Sequence, residues 1–133
     1  MAWTLTVSKV NKTRHYLKWK VVCTSDGGAL SATDLVALMP ADLSRQEQAL
    51  MKMKVVPGTG GVAPDTTIDI TLTDDEGDTL WADTGISNVA NSWHTLSADI
   101  GIHLPVFSKL YLAVNDIGGS GDQVTLYFIS WME

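Results

Sequence analysis

Apolar and polar residues alternate along most of this chain, the pattern of strands that bury one face. In the opening segment Trp3, Leu5 and Val7 point one way while Thr4, Thr6 and Ser8 point the other. Residues 1–10 therefore read either as a half-buried strand or as an arm that pairs with a sheet edge, its own or a neighbour's. Asn11, Lys12 and Thr13 supply a turn, after which Leu17, Trp19, Val21 and Cys23 alternate with Lys18, Lys20 and Val22 as a second strand, with Trp19 assigned to the core. Ser25, Asp26, Gly27 and Gly28 end it, the glycines being free to take a positive φ.

The middle of the chain is less regular. Residues 34–39, DLVALM, fit either period, and Pro40 limits any helix there, so the segment is read as strand. Ser44 and Glu47 have the spacing of a capping box and predict one short surface helix over residues 41–48. Ala49, Met51, Met53 and Val55 then alternate with Lys52 and Lys54 up to Pro57, and residues 57–64, bracketed by two prolines, connect strands across the domain. Ile68, Ile70 and Leu72 form one strand, residues 74–78 an acidic turn and residues 79–81 the return. Residues 82–97 read mostly as loop, with a short strand near 93–96. After residues 100–105, Leu110, Leu112 and Val114 pair as a hairpin with Val124, Leu126 and Phe128 across the turn at 115–122. Tyr127, Ile129 and Trp131 occupy the other face, so this hairpin is expected to lie centrally or to meet a partner. Eight or nine short strands with steady turn signals predict an all-β protein: a single-domain antiparallel β-sandwich of jelly-roll type over residues 1–133, with one short surface helix.

Composition narrows the function more than the fold. Nine Lys and Arg against 15 Asp and Glu give a net charge of -6 over 133 residues, which disfavours a nucleic-acid partner, because such binding relies on cations displacing counterions. Cys23 is the single cysteine, so no intrachain disulfide forms and a reducing compartment is expected. The amino terminus lacks the basic start and apolar run of an export signal, and no stretch approaches the roughly 20 apolar residues of a membrane helix. Synthesis in the cytoplasm and no membrane partner are the expectations.

Candidate chemistry is sparse. Asp74, Glu76 and Asp78 alternate along a turn but lack the distal Glu of a calcium loop, and acidic residues around a Gly are ordinary for an exposed tip. His15, His94 and His103 have no metal-ligand spacing. Cys23 on an apolar strand face reads as buried and inert, and the glycine runs at 58–61 and 118–121 read as turns because no Lys-Ser/Thr pair follows either. No catalytic, cofactor or metal residues are assigned, and the protein is expected to be no enzyme. Trp81 and Trp93 flank the loop region and offer a candidate sugar-stacking platform, which no polar pattern around them supports. Trp3 and Trp131, near the termini, are either folded onto the sandwich or docked on another subunit.

The order of a basic strand ending in VVPG, a proline-bounded loop, the segment IDITLTDDEGDTLW, an Asn/Ser-rich loop and the terminal KLYLAVNDIGGSGDQVTLYFISW resembles small jelly-roll virion structural proteins of tailed bacteriophages. The resemblance covers about residues 17–131, with 34–48 as an insertion, and contains no catalytic signature. It implies a capsid decoration or cement protein in the virion, made in the host bacterial cytoplasm, that binds the major capsid protein or other virion proteins. It further implies a homo-oligomer, with a trimer preferred. On this reading Trp3, Leu5, Val7 and Trp131 carry the contacts. A tail, neck or spike-base component is the alternative, and a carbohydrate-binding module a more distant one.

Overall fold

The computed structural model describes residues 2–58, 61–96, 102–104 (backbone only at 103 and 104) and 109–132. Alternation folds these residues into ten strands: β1 (Thr4–Lys12), β2 (Tyr16–Thr24), β3 (Leu30–Asp34), β4 (Gln48–Pro57), β5 (Ile68–Thr73), β6 (Thr79–Ile86), β7 (Ser92–Thr95), β8 (Ile102–Leu104), β9 (Tyr111–Val114) and β10 (Gln123–Trp131). Two one-turn helices, α1 (Leu35–Leu38) and α2 (Ala41–Ser44), interrupt them.

The strands form two antiparallel sheets in the orders β1-β2-β10-β4-β7, with β8 also on β4, and β3-β9-β5-β6. The pairs β2 with β10, β3 with β9, β4 with β7 and β5 with β6 nest as one long hairpin whose tip is the acidic turn at 74–78. Ladders of β4 on β10 and β5 on β9 roll that hairpin into a sandwich. This is the jelly roll that the alternation predicts, with β1 added beside β2.

The inner faces meet in one apolar core. Trp19 and Phe128, in register on β2 and β10, stack with ring centroids 4.4 Å apart and an interplanar angle of 18°. Both are fully buried, as are Leu50, Met53 and Val55 of β4 and Leu72 and Leu112 of the facing sheet. Gln48 enters this core hydrogen-bonded at both ends of its side-chain amide. Gln48 Oε1 accepts from Trp19 Nε1 at 3.1 Å and from Ser130 Oγ at 2.6 Å, while Gln48 Nε2 donates to the Leu43 carbonyl at 3.4 Å.

Five local readings are corrected by competing interactions. The terminal strands are not a hairpin: β9 and β10 lie in opposite sheets, and the connection at 115–122 crosses between them. Its backbone groups bond to other crossings, Asp65 N to Ile117 O at 2.8 Å and Ser25 N to Asp122 O at 2.8 Å, and Ile117 is fully buried. Gly118 is required there, because φ is +131° and a Cβ would approach an Asp122 carboxylate oxygen to 2.3 Å.

Residues 35–38 form a helix rather than a strand, because Asp34 Oδ1 accepts from the amides of Val36 (3.0 Å) and Ala37 (3.4 Å). The helix expected over 41–48 is only Ala41–Ser44. Pro40 is its N-cap and Ser44 its last residue, while Gln48 already belongs to β4, held there by its buried bonds. The described residues thus carry two short helices, and the insertion buries Leu35 and Leu43 instead of lying wholly on the surface.

Alternation in β4 breaks at Met51, which has no partner opposite because the register shifts between Ile129 and Ser130. This bulge turns Leu50 inward beside Met53, where the simple period would place Met51. Strand β6 continues to Ile86, past the predicted end at 81, because Ala82, Asp83 and Ile86 find partners on β5. The glycine run at 58–61 includes residues 59 and 60, outside the described residues, as do parts of the segments at 82–97 and 100–105.

Replacing Gln48 by Leu strands the Trp19 indole N–H and the Ser130 hydroxyl in an apolar core. Urea unfolding should register a loss of about 2–4 kcal/mol, well above that of an exposed Glu47→Leu control.

Candidate interaction site

Strand β1 is the outermost strand of its sheet and pairs, among the described residues, only with β2. Its far side is therefore an unpaired backbone edge, a template for a further strand. The carboxyl half of that edge is flanked by the helical insertion: Lys9 Nζ lies 3.6 Å from an Asp42 carboxylate oxygen, and Lys12 Nζ donates to Gln46 Oε1 at 3.1 Å. The register also shifts between Lys9 and Asn11, so Val10 bulges outward.

The amino half borders an open groove of about 540 Å³ between β1 and β3, the edge strands of the two sheets. Trp3, Leu5, Leu30 and Leu38 supply its apolar wall and Asp26, Ser31 and Thr33 polar positions. Leu38, on α1, is 42% exposed, so one apolar side chain of the insertion stands in solvent at the groove. Nothing in the alternation pointed to Leu30 or Leu38, because the groove arises from two edges distant in sequence.

The four residues expected to make contacts do not form one site. Trp3 and Leu5 line the groove, and Trp3 Nε1 donates to the Gly28 carbonyl at 3.0 Å, which fixes the indole over the β2–β3 connection. Val7 points into the core and is buried. Trp131 lies at the opposite end of the sheet, beside Tyr16, whereas Thr4 pairs with Thr24 next to Gln123 at the other end of β10. The length of β10 separates the two ends by roughly 27 Å. Trp131 stacks on His15 at 5.1 Å between centroids and meets Tyr16 edge-on at the same distance.

Trp81 and Trp93 do not converge. Trp93 is on the outer face of its sheet, 53% exposed, with Lys54 Nζ 5.6 Å from its ring centroid. Trp81 turns inward against the core and His94, 5.6 Å away. The acidic turn is occupied by its own backbone: Asp74 Oδ1 accepts from the amides of Glu76 and Asp78, each at 2.9 Å, around Gly77 at φ +87°. No group of three or more His, Cys, Asp or Glu side chains among the described residues is arranged to hold a metal ion. Among them, too, no helix is long and apolar enough to cross a membrane.

No family model and no curated protein matches the chain. The solved structures similar to it include a CBM22-1 xylan-binding domain from Paenibacillus barcinonensis Xyn10C, 14% identical, with 99% of this chain and 86% of that chain covered and a TM-score of 0.35. The tandem CBM22-1-CBM22-2 domain of the same protein matches at 14% identity, with 99% of this chain and 42% of that chain covered and a TM-score of 0.35. Likeness at this level carries no functional argument.

Cys23 sits fully buried on β2, and burial pushes its thiol up to about 12 from 9.0. Because the folded protein holds this proton more tightly, the thiol's contribution is complete below pH 9 and is lost as pH rises towards 12. Relative to Cys23→Ala, the wild type should lose roughly 1.4 kcal/mol per pH unit in that window. A thiol reagent at pH 8 should label Cys23 only after unfolding.

Proposed function

We propose that this protein is a non-enzymatic structural protein of a phage particle that attaches by adding an extended partner segment to the amino half of β1. Capsid decoration or cement is the role this reading favours, with the major capsid protein as partner and the virion as its place. The observation that carries it is the unpaired β1 edge lying beside an apolar groove of about 540 Å³. A strand bound there places alternate side chains towards Trp3, Leu5 and Leu38, so backbone hydrogen bonds supply affinity and the groove supplies selectivity. Binding to the assembled partner in preference to its dissociated form stabilises the particle by linkage.

The resemblance in sequence order supports the same reading. Val7 is a core residue and is left intact in any test; removing residues 1–8 would take away packing as well as the edge.

Leu5→Lys and Leu38→Asp alter the groove at positions that are half-buried and exposed, so both variants should fold. Added back to particles lacking the protein, each should show at least about tenfold weaker occupancy than the wild type, a loss of about 1.4 kcal/mol or more. Equal occupancy of wild type and variants would overturn the assignment of this edge.

A further inference from the structure

A second surface stands apart from the β1 edge and does not depend on the reading above. Strand register places Lys20, Tyr127, Lys54 and Trp93 in one row across the outer face of β2, β10, β4 and β7. The next row holds Lys18, Ile129, Lys52 and Thr95. Lys18 Nζ lies 5.0 Å from the Tyr127 ring centroid, and Lys54 covers Trp93 in the same manner. No Asp or Glu occupies an outward position on these four strands. A chain of net charge -6 therefore presents a face with four lysines, exposed aromatic surface and no carboxylate.

The opposite charge is segregated just as sharply. Residues 55–108 contain no Lys or Arg at all. Within them the β5–β6 hairpin carries Asp69, Asp74, Asp75, Glu76, Asp78 and Asp83, and its tip exposes Asp75, Glu76 and Asp78. Strand β6 is the edge of the second sheet, so this hairpin and the lysine face belong to different sheets of the sandwich.

We infer that the lysine face docks the acidic β5–β6 turn of a second copy of this chain. The occupant follows from charge complementarity carried by one sequence: the tip has carboxylates and no cation, and the face has cations and no carboxylate. Contact between unlike patches generates a two-fold dimer if face and tip dock reciprocally, and otherwise a closed ring or an open array. Exposed ion pairs are weak one by one and screened by salt, so association depends on ionic strength and on the aromatic surface that the lysines overlie.

Sedimentation velocity on the full chain supplies the test. At low salt the wild type should show concentration-dependent association that disappears near 0.5 M salt, where the screening length falls to roughly 4 Å. Lys20→Glu with Lys54→Glu should be monomeric alone, and so should Asp75→Lys with Glu76→Lys, all four positions being solvent-accessible. Mixing the two double variants should restore association, because each then meets a face and a tip of opposite sign. A wild type that stays monomeric at low salt and high concentration overturns the inference, as does association that neither charge reversal weakens. A monomer that binds polyglutamate through the lysine face also overturns it, by assigning that face to a different acidic partner.

Discussion

The flat stack of Trp19 on Phe128 is the contact on which the rest of the sandwich depends. It joins a residue near the start of the chain to one near its end, and it holds β10 in the middle of the first sheet, between β2 and β4. Gln48 reaches into the same place and ties β4, Ser130 and the Leu43 carbonyl to the Trp19 indole. The roll can close only when β10 is in place, because this central strand follows in sequence both strands that it pairs with. Sequence-distant ladders of this kind order slowly, since chain entropy is lost before contacts repay it.

Strand periodicity made the jelly roll legible, because most inner positions of β2, β5, β9 and β10 are apolar, with mostly polar neighbours on β2 and β5. Where the reading failed, a single side chain or an added residue had overridden the period. Asp34 capped a helix inside an apolar run, Gln48 drew the end of the predicted helix into a strand, and the bulge at Met51 exchanged it for Leu50. The terminal strands look like a hairpin in sequence because both are apolar and separated by turn residues. Only the bonds of the connection to Asp65 and Ser25 reveal that it crosses to the other sheet.

The candidate site was legible in half. Trp3 and Leu5 were singled out by their place on an alternating terminal strand, and both line the groove beside the open edge. Leu30 and Leu38 come to that groove from β3 and α1, a juxtaposition that periodicity does not encode. Val7 looked equivalent to Leu5 by spacing but lies deeper, over the core, and Trp131 stands at the far end of the sheet. The helical insertion flanks β1 on both sides of its middle: Asp42 and Gln46 meet Lys9 and Lys12, and Leu38 of α1 lines the groove with Leu5. Edge, groove and lysine face are thus consequences of one arrangement, a roll whose core amide, Gln48, is tied by hydrogen bonds and whose distinctive surfaces lie outside it.

Electron cryo-microscopy of the assembled particle tests the central claim most directly, because the β1 edge is then seen with its neighbour. The account predicts an extended segment of another virion protein running along the amino half of β1 at about 4.8 Å, with a side chain seated between Trp3, Leu5 and Leu38. A particle in which that edge and groove face solvent would contradict it.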